Sequence, residues 1–199
     1  EGNFFTLDVD RIRAAARKLP WVDEVSVRRI WPDTLQMWVQ EQIPLARWGK
    51  GRLVNPRGEV FQPLPAQMPR HLPRLDGAVE SAPLVVAQYQ EMHRRLVGLP
   101  LEIERLRLDA RQAWMVEFRQ GLKLQLGSSE IERRLGRFIR FYPLLQGPVG
   151  KRLKSIDLRY TNGLAVEWVT VNLPQTSKQN KPVTGLRTGW LEREGKGQA

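Results

Sequence analysis

The stretch LPWVDEVSVRRIWPDTLQMWVQEQIPLARW, residues 19–48, decides the first part of the fold. Val25 and Val27 alternate there with polar residues. After a Pro32-Asp33 turn the same alternation continues with Leu35, Met37 and Val39. A period of two is typical of strands with one buried face, so this stretch predicts a β-hairpin.

A short helix is predicted in front of this hairpin. Asp8 is a suitable helix N-cap, and Pro20 ends the helical pattern. Between them, apolar residues recur at helical spacing: Val9, Ile12, Ala16 and Leu19. We expect the apolar face of the hairpin to pack on this helix.

A second strand–turn–strand unit is predicted from IDLRYTNGLAVEW, residues 156–168. The first strand presents Ile156, Leu158 and Tyr160 on one face. The second strand presents Leu164, Val166 and Trp168 in the same way. Asn162-Gly163 between them is typical of a type I′ turn, in which both central residues have positive φ. In this interpretation Gly163 cannot be replaced without strain.

The segment between the two hairpins is predicted to add short strands and two helices. Proline and glycine divide residues 44–75 into short apolar pieces. One helix over 81–97 has Ser81 as its cap, and a second begins with Ser129 and Glu132 at capping-box spacing. Successive strands are predicted at 103–108, 114–119 and 122–126. The fold class is therefore α+β, with a β domain of mostly antiparallel strands and two helices.

The composition limits the kinds of chemistry open to the chain. It has 199 residues, no cysteine, and two histidines, His71 and His93, in different predicted elements. No disulfide framework, thiolate site or cysteine nucleophile is therefore possible, and a histidine metal site is disfavoured. The sequence has no phosphate-binding loop, nucleophile elbow or dinucleotide motif. We predict no catalytic residues, no cofactor and no metal.

The net charge of +11 favours an acidic partner: nucleic acid, anionic lipid or an acidic protein surface. Arg133, Arg137 and Arg140 line one side of the second predicted helix, with Arg134 beside them. The seven tryptophans suit base stacking. A basic nucleic-acid-binding protein is therefore the alternative interpretation. A solvated basic helix face explains the same arginines more simply, and no motif of a known nucleic-acid reader is present.

Both hairpins resemble the FtsQ/DivIB family of bacterial cell-division proteins, and more closely its FtsQ branch in Gram-negative bacteria. The similarity runs in order over residues 4–170. Its main motifs are Leu19-Pro20-Trp21-Val22, Val25-Ser26-Val27-Arg28, Trp31-Pro32-Asp33-Thr34-Leu35, Pro44-Leu45-Ala46-Arg47-Trp48, Gly58-Glu59-Val60-Phe61 and Asp157-Leu158-Arg159-Tyr160. Each motif is common, but the ordered series is specific.

The resemblance implies a POTRA domain of β-α-α-β-β order followed by a β domain. Residues 1–46 would be the C-terminal part of the POTRA domain and residues 47–172 the β domain. Residues 173–199, rich in polar residues, are predicted to be a disordered tail. The first POTRA strand, the first helix and a membrane anchor are missing, so we expect a fragment. The resemblance places the whole protein in the inner membrane as a single-pass protein, with this part in the periplasm at the division septum.

The resemblance also implies a non-enzymatic scaffold that binds FtsB and FtsL, chiefly FtsB, and links early and late division proteins. FtsK, FtsW and FtsI are implied as weaker or indirect partners. We expect a partner strand to add to an open sheet edge at about residues 164–170. Tyr160 and Trp168 would be apolar anchors, and two arginines would meet acidic groups. The predicted partner-binding residues are Arg111, Arg159, Tyr160, Asn162, Gly163, Leu164, Val166 and Trp168.

Overall fold

The computed structural model of the chain describes residues 8–145, 147 and 149–170. Helix α1 (Val9–Arg17) comes first, followed by a two-stranded sheet of β1 (Val22–Ile30) and β2 (Thr34–Glu41). The Oδ1 atom of Asp8 accepts hydrogen bonds from the backbone N–H groups of Asp10 and Arg11, at 3.0 and 3.1 Å. The predicted helix, its N-cap and the hairpin are therefore confirmed.

The apolar face of this hairpin is only half covered. Val25 and Val27 are buried, whereas Met37 and Val39 opposite them are 42% and 48% exposed. No residue of α1 is itself buried. The expected packing of the apolar face of the hairpin on the helix is therefore present for β1 but not for β2.

The remaining strands of the described part of the chain form one sheet of nine. In chain order they are β3 (Ala46–Trp48), β4 (Arg52–Val54), β5 (Val60–Phe61), β6 (Arg74–Asp76), β7 (Ile103–Leu108), β8 (Trp114–Phe118), β9 (Lys123–Gly127), β10 (Lys151–Asp157) and β11 (Ala165–Thr170). Their spatial order is β11-β10-β9-β8-β7-β6-β3-β4-β5. Among the strands of the described residues, only β9/β10, β3/β6 and β6/β7 pair in parallel. The α+β fold class with mostly antiparallel strands is confirmed.

Helices α2 (Ala82–Arg95) and α3 (Ile131–Phe141) cover the apolar face of this sheet. Phe138 of α3 stacks on Phe118 of β8, with ring centroids 6.0 Å apart. Strand residues alternate between this buried face and an opposite face that carries charged side chains. The sheet therefore has one face in the core and one open face.

Of the two caps predicted in the β domain, Ser81 does occupy the N-cap position of α2 but makes no side-chain capping bond, and the capping box predicted at Ser129 is wrong. Ser81 belongs to a 3-10 turn before α2, so its hydroxyl donates to the carbonyl of Ala78 at 2.7 Å rather than capping the helix. At α3 the N-cap is Glu130, whose φ of 52° is left-handed, and no side chain caps this end. Ser129 lies one residue too early to reach the first N–H groups of the helix.

Polar contacts and a ring contact join the hairpin to the large sheet. The indole N–H of Trp21 donates to Gln67 Oε1 at 2.8 Å, and its ring lies edge-on to Phe61. The buried Asn55 side chain donates to Gln42 Oε1 at 2.9 Å. The domain boundary expected at residue 46 stays a prediction, and the predicted tail at 173–199 lies outside the described residues.

Candidate partner-binding edge of the sheet

Strand β11 forms one end of the nine-stranded sheet and pairs there with β10. Within residues 8–145, 147 and 149–170, its backbone has no hydrogen bonds outside this pairing. No strand of this part of the chain therefore pairs with the outer row of N–H and C=O groups of β11, and a strand of another protein can do so. Among the described strands, β11 thus lies at the end of the sheet where the edge was expected, at about residues 164–170, and its use by a partner stays a prediction.

The two faces of β11 differ in character. Val166 lies opposite Ile156 and Trp168 opposite Leu153, so both half-buried side chains lie on the helix-covered face. The Trp168 ring packs so closely against Gly147 that a Cβ atom there would collide with it. An added strand would therefore extend an apolar face that already includes an indole ring.

The open face of β11 carries a charge-assisted cluster around Glu167. Its carboxylate accepts hydrogen bonds from Lys154 Nζ at 2.6 Å and Ser155 Oγ at 2.9 Å. These bonds hold the pKa of Glu167 below its usual range. The cluster fixes the register of β10 and β11 at a point where the pairing is irregular, between Leu153 and Ser155.

The connection between β10 and β11 is not the predicted two-residue turn. It spans residues 158–164, and neither Asn162 nor Gly163 has a positive φ. The type I′ prediction is therefore wrong. The expectation that Gly163 resists replacement is wrong as well, since no atom lies within 4 Å of a Cβ atom built there.

Tertiary contacts override the local turn preference. Leu158 is fully buried, and its N–H donates to the carbonyl of Gln125 at 2.9 Å, which keeps the chain beside β9 after β10 ends. Tyr160 then points outward with 59% of its surface exposed, so it does not share a face with Leu158. Leu164 packs against the core and returns the chain to the sheet.

Two arginines of α3 hold this connecting loop in place. Arg137 Nη1 donates to the carbonyl oxygens of Tyr160 at 2.8 Å and Gly163 at 2.5 Å. The buried Arg134 donates to the carbonyl of Leu126 at 2.6 Å and to that of Arg159 at 3.4 Å. The loop that carries the exposed Tyr160 is therefore braced through its backbone by two guanidinium groups.

This role was not predicted from the sequence, in which the α3 arginines suggest a basic helix face. The position of Arg134 in the sequence nevertheless indicated such a role. Arg134 lies three residues after Ile131 and four before Phe138, on the apolar stripe of the helix. A charged side chain on such a stripe is buried and needs hydrogen-bond partners.

Gly127 at the end of β9 makes room for this arrangement. Its φ is +75°, and a Cβ atom built there would lie 2.6 Å from Arg134 Nη1 and 3.2 Å from Arg159 Cγ. An L-residue is strained at such a φ, and the two arginine side chains occupy the space that a side chain would need.

Arg159 is already paired within the chain. Its Nε and Nη2 atoms donate to the Asp157 carboxylate at 2.9 and 2.6 Å, in a forked arrangement. This pairing lowers the pKa of Asp157 and raises that of Arg159. An acidic partner group at Arg159 would therefore have to share the guanidinium group with Asp157 or displace Asp157.

Arg111 lies on the exposed tip of the β7–β8 turn. Asp109 organises this turn by accepting hydrogen bonds from the N–H groups of Ala113 and Arg111, at 2.9 and 2.8 Å. These bonds, that from Ala113 foremost, lower the pKa of Asp109. Asp109, Ala113 and Arg159 line one shallow pocket of about 170 Å³. The structure thus brings the base of the Arg111 turn next to Arg159.

Among the described residues, no three histidine or acidic side chains are grouped so as to hold a metal ion. In the same part of the chain, no helix has the length and apolar character needed to cross a membrane. The candidate site combines the β11 edge with three exposed side chains, Arg111, Arg159 and Tyr160.

Comparison with known proteins gives one consistent result. Residues 46–159 match the family described as "Cell division protein FtsQ/DivIB, C-terminal", and residues 1–42 match "POTRA domain, FtsQ-type". The cell division protein FtsQ of Coxiella burnetii is 36% identical over 168 residues, which cover 84% of this chain and 69% of that protein.

Two further proteins of the same name are similar. That of Allochromatium vinosum is 38% identical over 84% of this chain and 66% of its own length. That of Escherichia coli K12 is 35% identical over 89% of this chain and 66% of its own length. The chain spans about two thirds of the length of these relatives.

Proposed function

This chain belongs to the FtsQ/DivIB family of cell-division proteins, and we propose that it is a non-enzymatic scaffold that binds FtsB and FtsL through the edge of β11. The observation that carries the proposal is the position of β11 at the end of the sheet. The exposed Tyr160 and the adjacent Arg159 lie in the connection that leads into β11, and they would supply recognition.

Strand addition explains how such an edge binds a partner. A strand of FtsB pairs with the outer backbone groups of β11, and these hydrogen bonds supply affinity for an extended chain. On the helix-covered face, Val166 and Trp168 contact the apolar side chains of the added strand. Tyr160 covers the end of the added strand, while Arg159 and Arg111 attract the acidic residues of that strand.

Family membership implies partners in the division machinery and a location at the septum. In the longer protein, an anchor in front of this chain would hold it on the periplasmic side of the inner membrane. FtsW and FtsI would be linked through FtsB and FtsL, and FtsK would be contacted more weakly or through the POTRA part.

The arrangement of α3 does not favour the nucleic-acid alternative. Arg134 and Arg137 bind backbone carbonyls of the chain itself, and Arg133 pairs with Glu130 at 2.8 Å. Of the four arginines that suggested a basic helix face, three are therefore engaged within the molecule. We do not propose nucleic acid as a partner.

Hydrogen exchange tests strand addition directly. When the periplasmic part of an FtsB–FtsL complex is added, we expect slower amide exchange within Ala165–Thr170, because outward-facing N–H groups become hydrogen-bonded. The far edge strand, β5, is the internal control and should not change. A tight complex without added protection in β11 contradicts the proposal.

The contribution of Arg159 is tested by Arg159→Gln. We expect partner affinity to fall about five- to tenfold, because a charge-assisted hydrogen bond to the partner is lost. Affinity of the unchanged chain should decrease only moderately with salt concentration, since few charges are involved.

Arg28→Gln is the matched control, since it removes the same charge from the exposed outer side of β1. Calorimetric titrations at several salt concentrations measure both effects. Equal partner affinities of the two variants would show that Arg159 does not contribute to partner binding. A salt dependence as steep as that of phosphate neutralisation would instead favour a nucleic-acid partner.

A further inference from the structure

Three arginines form a row across the open face of the large sheet. In the parallel pairings, Arg47 of β3 lies opposite Arg74 of β6, and Arg74 lies opposite Arg105 of β7. Adjacent strands are about 4.8 Å apart, so three positive side chains stand side by side. Like charges placed directly opposite each other destabilise a sheet. Such a row needs negative charge.

In the described part of the chain, two acidic side chains face the row: Asp76, and Glu117 of β8, which lies opposite Arg105. Asp76 forms ion pairs with two of the three arginines, because its carboxylate lies 2.5 Å from Arg105 Nε and 3.4 Å from Arg74 Nε. The Arg74 Nε–H is shielded from solvent, yet it makes no hydrogen bond within the described structure. A buried donor without a hydrogen-bonded acceptor is costly, so Asp76 does not fully satisfy Arg74.

A shallow pocket of about 410 Å³ lies over this row. We call it the arginine groove. It is lined by His71 and by five arginines: Arg47, Arg70, Arg74, Arg105 and Arg119. Its two acidic residues are Glu104 and Glu117. Glu117 lies 3.4 Å from Lys123, and Arg119 pairs with Glu102 at 2.9 Å.

Two of the groove arginines are not paired with an acidic side chain of the described residues, so they can pair with the carboxylates of a ligand. Among residues 8–145, 147 and 149–170, the side chains of Arg47 and Arg70 form no ion pair. The arginine groove therefore has a clear excess of positive charge that the described part of the chain leaves uncompensated.

We propose that the arginine groove binds an acidic segment of a protein partner through its carboxylate groups. Planar guanidinium groups match carboxylates in a forked geometry. The groove is open and wide, as suits a chain segment rather than an enclosed small molecule. None of its lining residues begins a helix, and helix N-termini are the usual anchor of phosphate groups.

The arginine groove is separate from the edge of β11. Strands β8, β9 and β10 lie between β7 and β11, so the nearest arginine of the row is about 20 Å from that edge. The proposal therefore does not depend on the site described above, and each can fail without the other.

A short peptide of alternating glutamate and alanine, carrying a fluorophore, serves as the probe. In anisotropy titrations at low salt, we expect the double variant Arg47→Gln/Arg70→Gln to bind it at least about tenfold more weakly than the unchanged chain. The control Arg133→Gln/Arg140→Gln removes the same charge from α3 and should change affinity about twofold or less. Melting curves verify that both variants fold.

A second measurement uses the unchanged chain. The Nε–H resonances of Arg74 and Arg105 should shift when the peptide binds. Equal weakening in both double variants, or peptide binding that leaves these resonances in place, would overturn the proposal. Tighter binding of inorganic phosphate or phosphatidylglycerol vesicles to the same groove would overturn the choice of a protein segment.

Discussion

Gly127→Ala is expected to lower the free energy of unfolding by about 2–4 kcal/mol, through backbone strain and crowding together. A residue with φ near +75° resists a Cβ atom, and that atom would lie 2.6 Å from Arg134 Nη1. The guanidinium group would have to move away from the carbonyl oxygens of Leu126 and Arg159. Chemical denaturation measures the loss of stability.

The same variant should also weaken partner binding. The added methyl group would press on Arg159 Cγ, 3.2 Å away, and displace the side chain expected to meet acidic groups. We expect affinity to fall about tenfold under conditions in which the variant is folded. Calorimetry with the periplasmic part of FtsB–FtsL measures this loss.

Gly51→Ala is the matched control, because it separates strain from crowding. Gly51 has a similar φ of +69°, but no atom lies within 4 Å of a Cβ atom built there. We expect this variant to lose about 1–2 kcal/mol of stability and no partner affinity. If the two variants lose equal stability, crowding against the arginines contributes nothing to the loss of stability in Gly127→Ala.

Regular elements of this fold could be predicted because their signal is local. Val25 and Val27 alternate with polar residues, and Leu122, Leu124 and Leu126 do the same; all five are buried as expected. In these strands one face lies in the core, so the hydrophobic pattern and the structure carry the same information.

The connection at residues 158–164 could not be predicted, because its conformation is set by distant residues. Asn162-Gly163 prefers a tight turn, but the bonds from Arg137 to the Tyr160 and Gly163 carbonyls hold a longer loop. The burial of Leu158 acts in the same direction. Local turn chemistry gives way where several buried contacts oppose it.

The edge and the arginine groove differ in how far the sequence indicates them. The edge follows from chain order, since β11 is the last predicted strand. The arginine row depends on register between strands far apart in the chain, at Arg47, Arg74 and Arg105. No spacing rule connects these positions, so only the folded sheet shows the row.

Trp168→Ala is expected to weaken partner binding about 100-fold or more, the largest effect at the β11 edge. The indole ring lies on the helix-covered face, next to the position that an added strand would take. Large aromatic side chains at such positions dominate interface energies. Trp38→Ala is the control, because Trp38 on β2 is a 49% exposed tryptophan outside this site.

Stability and binding must be separated for Trp168, because its ring also packs against Gly147 within the chain. Its loss should cost about 2 kcal/mol of stability, less than for a fully buried tryptophan. Trp168→Phe has a smaller ring that keeps much of this packing. Compared with Trp168→Ala, we expect it to restore more of the stability than of the partner affinity. If folded Trp168→Ala binds as tightly as the unchanged chain, the ring is a core element only, and recognition at this edge depends on the backbone and Tyr160.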